Sequence, residues 1–204
     1  MPSADTRATP PATRPTVTTE AVLDAALTLF AERGYHGTAL SQIADRLGIR
    51  TPSLYNHMRS KQELLETLVG QTLDEVRADF DAAVAGLDDP AAQLRAATRV
   101  YALRHATRRR EALVVNRDTT SLPEPALTTM RERRRSHERA IRAIIIRGIE
   151  SGVFAVGNPG LASFAILEMS VSIARWFRED GPRTPEQVAD EYGEFALQIV
   201  RYRP

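Results

Sequence analysis

The chain has 204 residues, of which 43% are hydrophobic, enough for one compact unit or for a small reader joined to a larger body. It has no cysteine, which excludes disulfides, thiolate metal sites and cysteine nucleophiles, and its formal net charge of +1 excludes a polycation that coats nucleic acid. Aromatic residues make up 6% of the chain and strand signals are sparse, whereas alanine, leucine and arginine abound, so the expected fold class is all-α.

The first fifteen residues hold four prolines and no apolar periodicity, and 1–15 is predicted to be a disordered arm. Arg7 or Arg14 on it would suit a neighbouring minor groove, and an inert tail is the alternative. From Thr18 the pattern turns helical, with Val22, Ala26, Leu29 and Phe30 on one face and Gly34 closing the helix. Thr38 is placed to cap a second helix whose apolar face is Leu40, Ile43, Ala44 and Leu47. Gly48 ends it, because glycine takes the left-handed backbone that lets a chain reverse within a few residues. Thr51 and Pro52 then open a third helix as N-cap and first-turn residue. Leu54 and Met58 on it can pack inward, which leaves Ser53, Tyr55, Asn56 and His57 outside with hydroxyl, amide and imidazole groups suited to base edges or phosphates. Ser60 and Glu63 form a capping box for the next helix, and Lys61, the only lysine of the chain, sits in its positive first turn. Two short helices about a tight turn are the layout of a helix-turn-helix reader of DNA.

Beyond Ser60 a long amphipathic helix is predicted through Leu65, Val69, Leu73, Val76 and Phe80 to about Gly86. Prolines punctuate the remainder of the chain, with helices expected at about Pro90 to Thr107, Arg109 to Thr119, Pro125 to Gly152, Pro159 to Glu179 and Pro185 to Tyr202. About nine helices result, read as a DNA-binding domain at 16–62 and a ligand-binding and dimerisation domain at 63–204. The helix from Pro159 is apolar on most faces and needs cover all round. A second copy of the chain, docking through the last two helices at about 159–202, is the simplest cover, and a homodimer also supplies the paired readers that a palindromic operator requires. The N-terminus lacks an apolar leader, and the longest greasy run, Leu161 to Phe177, contains Glu168 and Arg175. The expectation is therefore a cytoplasmic protein with no membrane partner.

The run Leu29-Phe30-Ala31-Glu32-Arg33-Gly34-Tyr35, then Thr38, Ile43-Ala44, Gly48-Ile49, Ser53-Leu54-Tyr55-Asn56-His57-Met58 and Ser60-Lys61 closely resembles the N-terminal domain of the TetR family of bacterial transcriptional regulators. The resemblance implies a dimeric, ligand-responsive, all-helical repressor on double-stranded DNA. It also implies phosphate contacts from Thr38, Tyr55, His57 and Lys61, and major-groove contacts from Arg50, Thr51, Ser53 and Asn56. The family usually has a phenylalanine where Met58 stands, a tolerable core exchange.

Two features bear on a ligand. Glu168, Ser172 and Arg175 share one face of the apolar helix, with Arg175 read either as an ion-pair partner or as a contact to an acidic or carbonyl-bearing effector. Between Arg104 and Arg147 lie twelve arginines and five acids, and of the consecutive triplets Arg108–Arg110 and Arg133–Arg135 at most one member each is expected to line a pocket. The run Ala174-Arg175-Trp176-Phe177-Arg178, Gly181 and Thr184 to Tyr192 resembles a TetR subgroup that controls lipid and sterol degradation and senses acyl-CoA thioesters. That resemblance implies arginines on the CoA phosphates and an acyl part near Val114, Val115, Met130 and Trp176. Together with Arg175, Tyr101 and Arg104, these complete the expected ligand-binding set. No cofactor or metal is expected, since His36, His57, His105 and His137 fall in separate segments without ligand-like spacing. A small helical enzyme acting on acyl thioesters, and an efflux regulator answering hydrophobic drugs, are the alternatives.

Overall fold

Caps and glycines, more than propensity, decide where the helices fall. The computed structural model describes residues 17–203, so the arm expected at 1–15 lies outside the described residues. α1 (Thr19–Arg33) starts where the Thr18 hydroxyl accepts from the Ala21 amide at 3.1 Å, and it stops at Gly34, whose φ of 82° would strain any side chain. α2 (Leu40–Arg46) is capped differently from expectation. Its N-cap is Ala39, whose amide donates to the Gln42 side chain at 2.9 Å, while the Thr38 hydroxyl turns inward to bond the carbonyls of Leu29 and Gly34 at 3.2 and 2.9 Å. Gly48 makes the reversal with φ 66°.

α3 (Thr51–Leu54) is only four residues long, with Arg50 as N-cap and Thr51 as first residue, so the opening lies one position earlier than the sequence pattern places it. Tyr55, Asn56 and His57 continue it as a turn. Leu54 and Met58 are both buried as expected. α4 (Lys61–Val84) then begins at Ser60, whose hydroxyl accepts from the Glu63 amide at 3.1 Å, with the Glu63 carboxylate returning to the Arg59 amide.

The body is α5 (Pro90–Thr107), α6 (Arg109–Asp118), a 3₁₀ turn (Thr119–Ser121), α7 (Ala126–Glu150), α8 (Pro159–Trp176) and α9 (Pro185–Ile199). All regular structure among the described residues is helical, and no described helix is long and apolar enough to cross a membrane. Asp89, Asn158 and Thr184 cap α5, α8 and α9 with a proline just inside each helix, as the sequence indicates. α8 ends before its expected limit of Glu179, because Phe177 adopts extended backbone and tucks its ring inward.

One apolar cluster runs without interruption from Val22, Phe30, Ile43, Leu54 and Leu65 to Val114, Val115 and Met130, so the reader and the near end of the body share a core. A second cluster, around Leu94, Ile141, Ile145 and Ile166, holds the far end. α4 belongs to both, packing on α1 at one end and on α5, α6 and α7 at the other.

Candidate DNA-reading surface and effector cavity

The turn between α2 and α3 leaves a compact polar surface. Arg50, Tyr55 and Asn56 are exposed, Tyr55 to 56%, and Thr51, Ser53 and His57 are half-buried beside them. His57 Nδ1 lies 3.5 Å from the Thr19 hydroxyl, which ties this surface to the start of α1. Two of the expected phosphate contacts are placed otherwise. Thr38 is 1% exposed with its hydroxyl committed to carbonyls. Lys61 donates from Nζ to the carbonyls of Tyr35 and Thr38, at 2.7 Å each, and lies 4.3 Å from the centre of the Tyr35 ring. Burial holds the Lys61 ammonium below the ordinary lysine value. With two of its three protons engaged, it fastens the α1–α2 turn and keeps one donor for an anion.

Behind the reader a cavity of about 220 Å³ lies between α4, α5, α6, α7 and α8. Its walls are largely apolar, through Leu73, Val76, Val115, Phe164, Leu167 and Val171, and Arg104, Arg108, Arg134 and Arg135 also line it. Arg104 is neutralised by Glu75 at 2.9 Å and by Asp79. Arg134 has only neutral partners among the described residues, the Val115 carbonyl and the Asn116 amide oxygen, so its charge is uncompensated. Arg108 and Arg135 are exposed side chains, each only 3.8 to 3.9 Å from a single glutamate. Burial, helped by Arg77 and Arg134, pushes His137 down to about 4, and burial likewise lowers His105, so both imidazoles on this cavity are neutral near pH 7.

Of the expected ligand set, the cavity gathers Tyr101, Arg104 and Val115. Val114 and Met130 are buried in the core shared with the reader instead. Arg175 and Trp176 do not line it: Arg175 is exposed and Trp176 stacks on Tyr192 at the outer surface, because the face of α8 turned to the cavity is Phe164, Leu167, Glu168 and Val171. The second arginine triplet also departs from expectation, since Arg134 and Arg135 both reach the cavity, long side chains from adjacent positions spanning one opening. His105 and His137, separate in sequence, come together only through the packing of α5 on α7. Among the described residues no group of three or more histidines and carboxylates is set to hold a metal.

α6 connects the two sites. Its Glu111, Ala112, Val115 and Asn116 line the cavity. From its other side Arg110 reaches α1, at 2.9 Å from the Asp24 carboxylate and 2.7 Å from the Thr28 hydroxyl. Arg117, held by the buried Asp118 at 2.9 Å, donates to the carbonyls of Phe30 and Ala31 at the C-terminal end of α1. Arg109 bonds the Ala174 carbonyl of α8 at 2.9 Å. Arg108, the non-helical cap between α5 and α6, lies at the cavity, while Arg109 and Arg110, successive helical positions about 100° apart, reach α8 and α1.

A polar two-helix reader fixed to a helical body with an internal cavity defines a ligand-responsive, DNA-binding transcriptional regulator. Family models agree on both parts. Residues 22–68 match "Bacterial regulatory proteins, tetR family" and residues 87–200 match "Tetracyclin repressor-like, C-terminal domain", and the chain belongs to the TetR family. Regulators of this family bind operator DNA as dimers and respond to small effectors, and they are not enzymes. The chain is similar to the HTH-type transcriptional repressor KstR2 of Rhodococcus jostii, 29% identical over 178 residues that cover 86% of this chain and 87% of the relative. KstR2 of Mycobacterium tuberculosis, named a ketosteroid transcriptional regulator, superposes with a TM-score of 0.85 at 25% identity over 91% of this chain and 95% of that one. A complex of AibR with isovaleryl coenzyme A and operator DNA shares the fold, with a TM-score of 0.81 at 23% identity over 91% and 99% of the two chains.

Proposed function

We propose that this protein is a repressor that grips a palindromic operator as a homodimer and lets go when a CoA thioester enters the cavity between α4 and α8. The observation that carries this reading is the pairing of an apolar cavity with four lining arginines, of which Arg134 has no carboxylate partner among the described residues. The acyl part of a thioester suits Leu73, Val76, Leu167 and Val171, and its phosphates suit Arg108, Arg134 and Arg135. KstR2 and AibR, whose names and contents concern ketosteroid regulation and an acyl-CoA, support the ligand class.

In the dimer, Leu161, Phe164, Trp176 and Phe195, exposed on α8 and α9, are covered by the partner copy. Phe164 also lines the cavity, so association would close part of its wall. Arg50, Thr51, Ser53 and Asn56 read bases, while Tyr55, His57 and the free donor of Lys61 hold phosphates. Thr38 supports this surface from within, its hydroxyl bonded to the carbonyls of Leu29 and Gly34, its amide to Tyr35 and its carbonyl to Lys61. Paired readers engage successive grooves about 34 Å apart. Filling the cavity presses on α6 and α4, and the grip of Arg110 and Arg117 on α1 carries that displacement to the reader. The site of action is the bacterial cytoplasm, on the nucleoid while operator is bound.

The test is fluorescence anisotropy of the complex with labelled DNA from the protein's own upstream region, titrated with acyl-CoAs, free fatty acids and cationic drugs. Release by thioesters ahead of the matching acids is expected. Release by cationic drugs alone would replace this reading with an efflux-type sensor.

A further inference from the structure

The neutral imidazoles of His105 and His137 stand on the cavity wall, and neither is suited to holding phosphate. His105 on α5 is fixed by a hydrogen bond of 2.7 Å between Nδ1 and the Tyr101 carbonyl one turn back. A carbonyl can only accept, so Nδ1 carries the proton and Nε2 of the neutral ring is a bare acceptor. With Nδ1 turned back on its own helix, the far edge of the ring, which carries Nε2, is the part that reaches the cavity. That nitrogen bonds no described residue, yet it is not sealed off. Thr98 Oγ1 and Tyr101 Oη are the only side-chain polar atoms among the described residues that are both out of reach of solvent and without a partner. His137 on α7, 8% exposed, also lines the cavity and makes no hydrogen bond through its ring among the described residues.

The missing partner of Nε2 must bring a proton. The nearby cations are engaged elsewhere, Arg104 by Glu75 and Asp79, and Arg134 by the Val115 carbonyl and the Asn116 amide oxygen. Burial, joined by the charges of Arg104 and Arg134, holds His105 below the ordinary histidine value against the opposing pull of the Tyr101 carbonyl and Glu168. Surroundings that disfavour an imidazolium also disfavour a ligand ammonium, so the donor is an uncharged N–H or O–H. A CoA thioester carries such groups on its pantetheine arm, as secondary amides and a hydroxyl between the sulfur and the phosphates. The cavity of about 220 Å³ does not enclose the whole arm, so the amide next to the sulfur is the one in reach when the acyl part lies against Leu167 and Val171. His137 offers one donor and one acceptor on the same wall, which suits the carbonyl of that amide.

We propose that His105 Nε2 is the acceptor for the amide N–H next to the sulfur of the effector's pantetheine arm. The proposal rests on the thioester reading above and deepens it: the cavity recognises the arm itself, not only the acyl chain and the phosphates at its two ends.

Nitrogen NMR of protein labelled in its histidines tests the ring directly. The free protein should show His105 protonated on Nδ1 and bare on Nε2, and saturation with hexanoyl-CoA should move the Nε2 signal toward the hydrogen-bonded range. Calorimetry with S-hexanoyl-N-acetylcysteamine, which keeps only that amide, and with its N-methylated counterpart isolates the donor. The N–H compound is expected to bind the wild type about tenfold tighter. His105→Gln, whose side-chain oxygen can stand in for Nε2, should keep part of that preference, and His105→Leu should abolish it. Both variants lose the bond to the Tyr101 carbonyl, so the difference between them reports Nε2 alone. A free ring protonated on Nε2, an Nε2 signal that bound hexanoyl-CoA leaves in place, or an equal preference in the two variants would each overturn the proposal. If no thioester binds at all, it is the thioester reading that fails. Cyclohexanol against methoxycyclohexane then decides the acceptor alone: an Nε2 shift with the alcohol only upholds a donor-receiving subsite at His105, and no difference overturns it.

Discussion

The reader and the cavity are built on opposite principles, although they share a core. The reader is assembled from neighbours along the chain, with caps at Thr18 and Ser60, a reversal at Gly48, and buried residues a few positions apart. The cavity is assembled from five helices, and its polar groups at positions 101, 104, 134 and 137 meet only after those helices pack. A local assembly fixes a rigid surface, and a non-local one leaves a space whose walls can shift. That division suits a molecule in which one part recognises a constant partner and the other responds to a variable one.

The largest effect that separates the two principles is expected in the shared core. Leu54→Ala removes a fully buried side chain of the reader and should destabilise the protein by about 3 kcal/mol. Because the cluster around Leu54 continues to Val114 and Met130, calorimetry should show one transition displaced to lower temperature. A separate early transition would mean that the reader melts by itself. Gly148→Ala perturbs only the far end of the body, where a new Cβ would lie 2.0 Å from the buried Phe154 ring. It should destabilise by about 2 kcal/mol and leave operator affinity unchanged at a temperature where the variant is folded.

On the DNA side, Arg50→Ala should lose about 1–3 kcal/mol of discrimination between operator variants, while Tyr55→Phe weakens binding to all sequences alike, as competition gel shifts would show. Identical behaviour of the two would dissolve the distinction between base-reading and phosphate-holding positions.

The smallest effect concerns pH. His137 binds its proton less readily folded, at about 4, than unfolded, near 6.5, so the unfolded state takes up more protons as the pH falls from about 6.5 toward 4, and stability declines over that window. Allowing for partial screening by solvent, the loss between pH 7 and pH 5 is about 1 kcal/mol. Comparing urea midpoints of the wild type and His137→Gln at the two pH values isolates it.

Legibility in the sequence obeys the same division. The order and number of helices can be read because prolines, caps and glycines mark them locally. The reader's exposed residues can be read because Leu54 and Met58 fix which side faces inward. Thr38 and Lys61 are legible only in part, since nothing local shows that the α1–α2 turn offers them backbone carbonyls. Arg175 is expected at the ligand from the polar line it shares with Glu168 and Ser172, and Trp176 from the subgroup resemblance, but sequence does not say which face of α8 meets α5 and which meets solvent. His105 and His137 carry no signal, being 32 residues apart in sequence on helices whose packing creates their common environment. The polar residues inside the periodic runs of α5 and α7 are the one available hint. The roles of the two arginine triplets likewise depend on which neighbours stand beside each position.

The claim on which the rest depends is that α6 makes the cavity and the reader one thermodynamic system. Affinity of the operator-releasing thioester should therefore be measured by calorimetry with and without saturating operator, for the wild type and for Arg117→Met. Linkage requires DNA to weaken the thioester by the same factor by which the thioester weakens DNA, about 5- to 150-fold for coupling of the usual size. That factor should shrink toward one in Arg117→Met, with thioester affinity in the absence of DNA retained. Equal thioester affinity in free and operator-bound wild type, or coupling untouched by the loss of Arg117, would contradict this account.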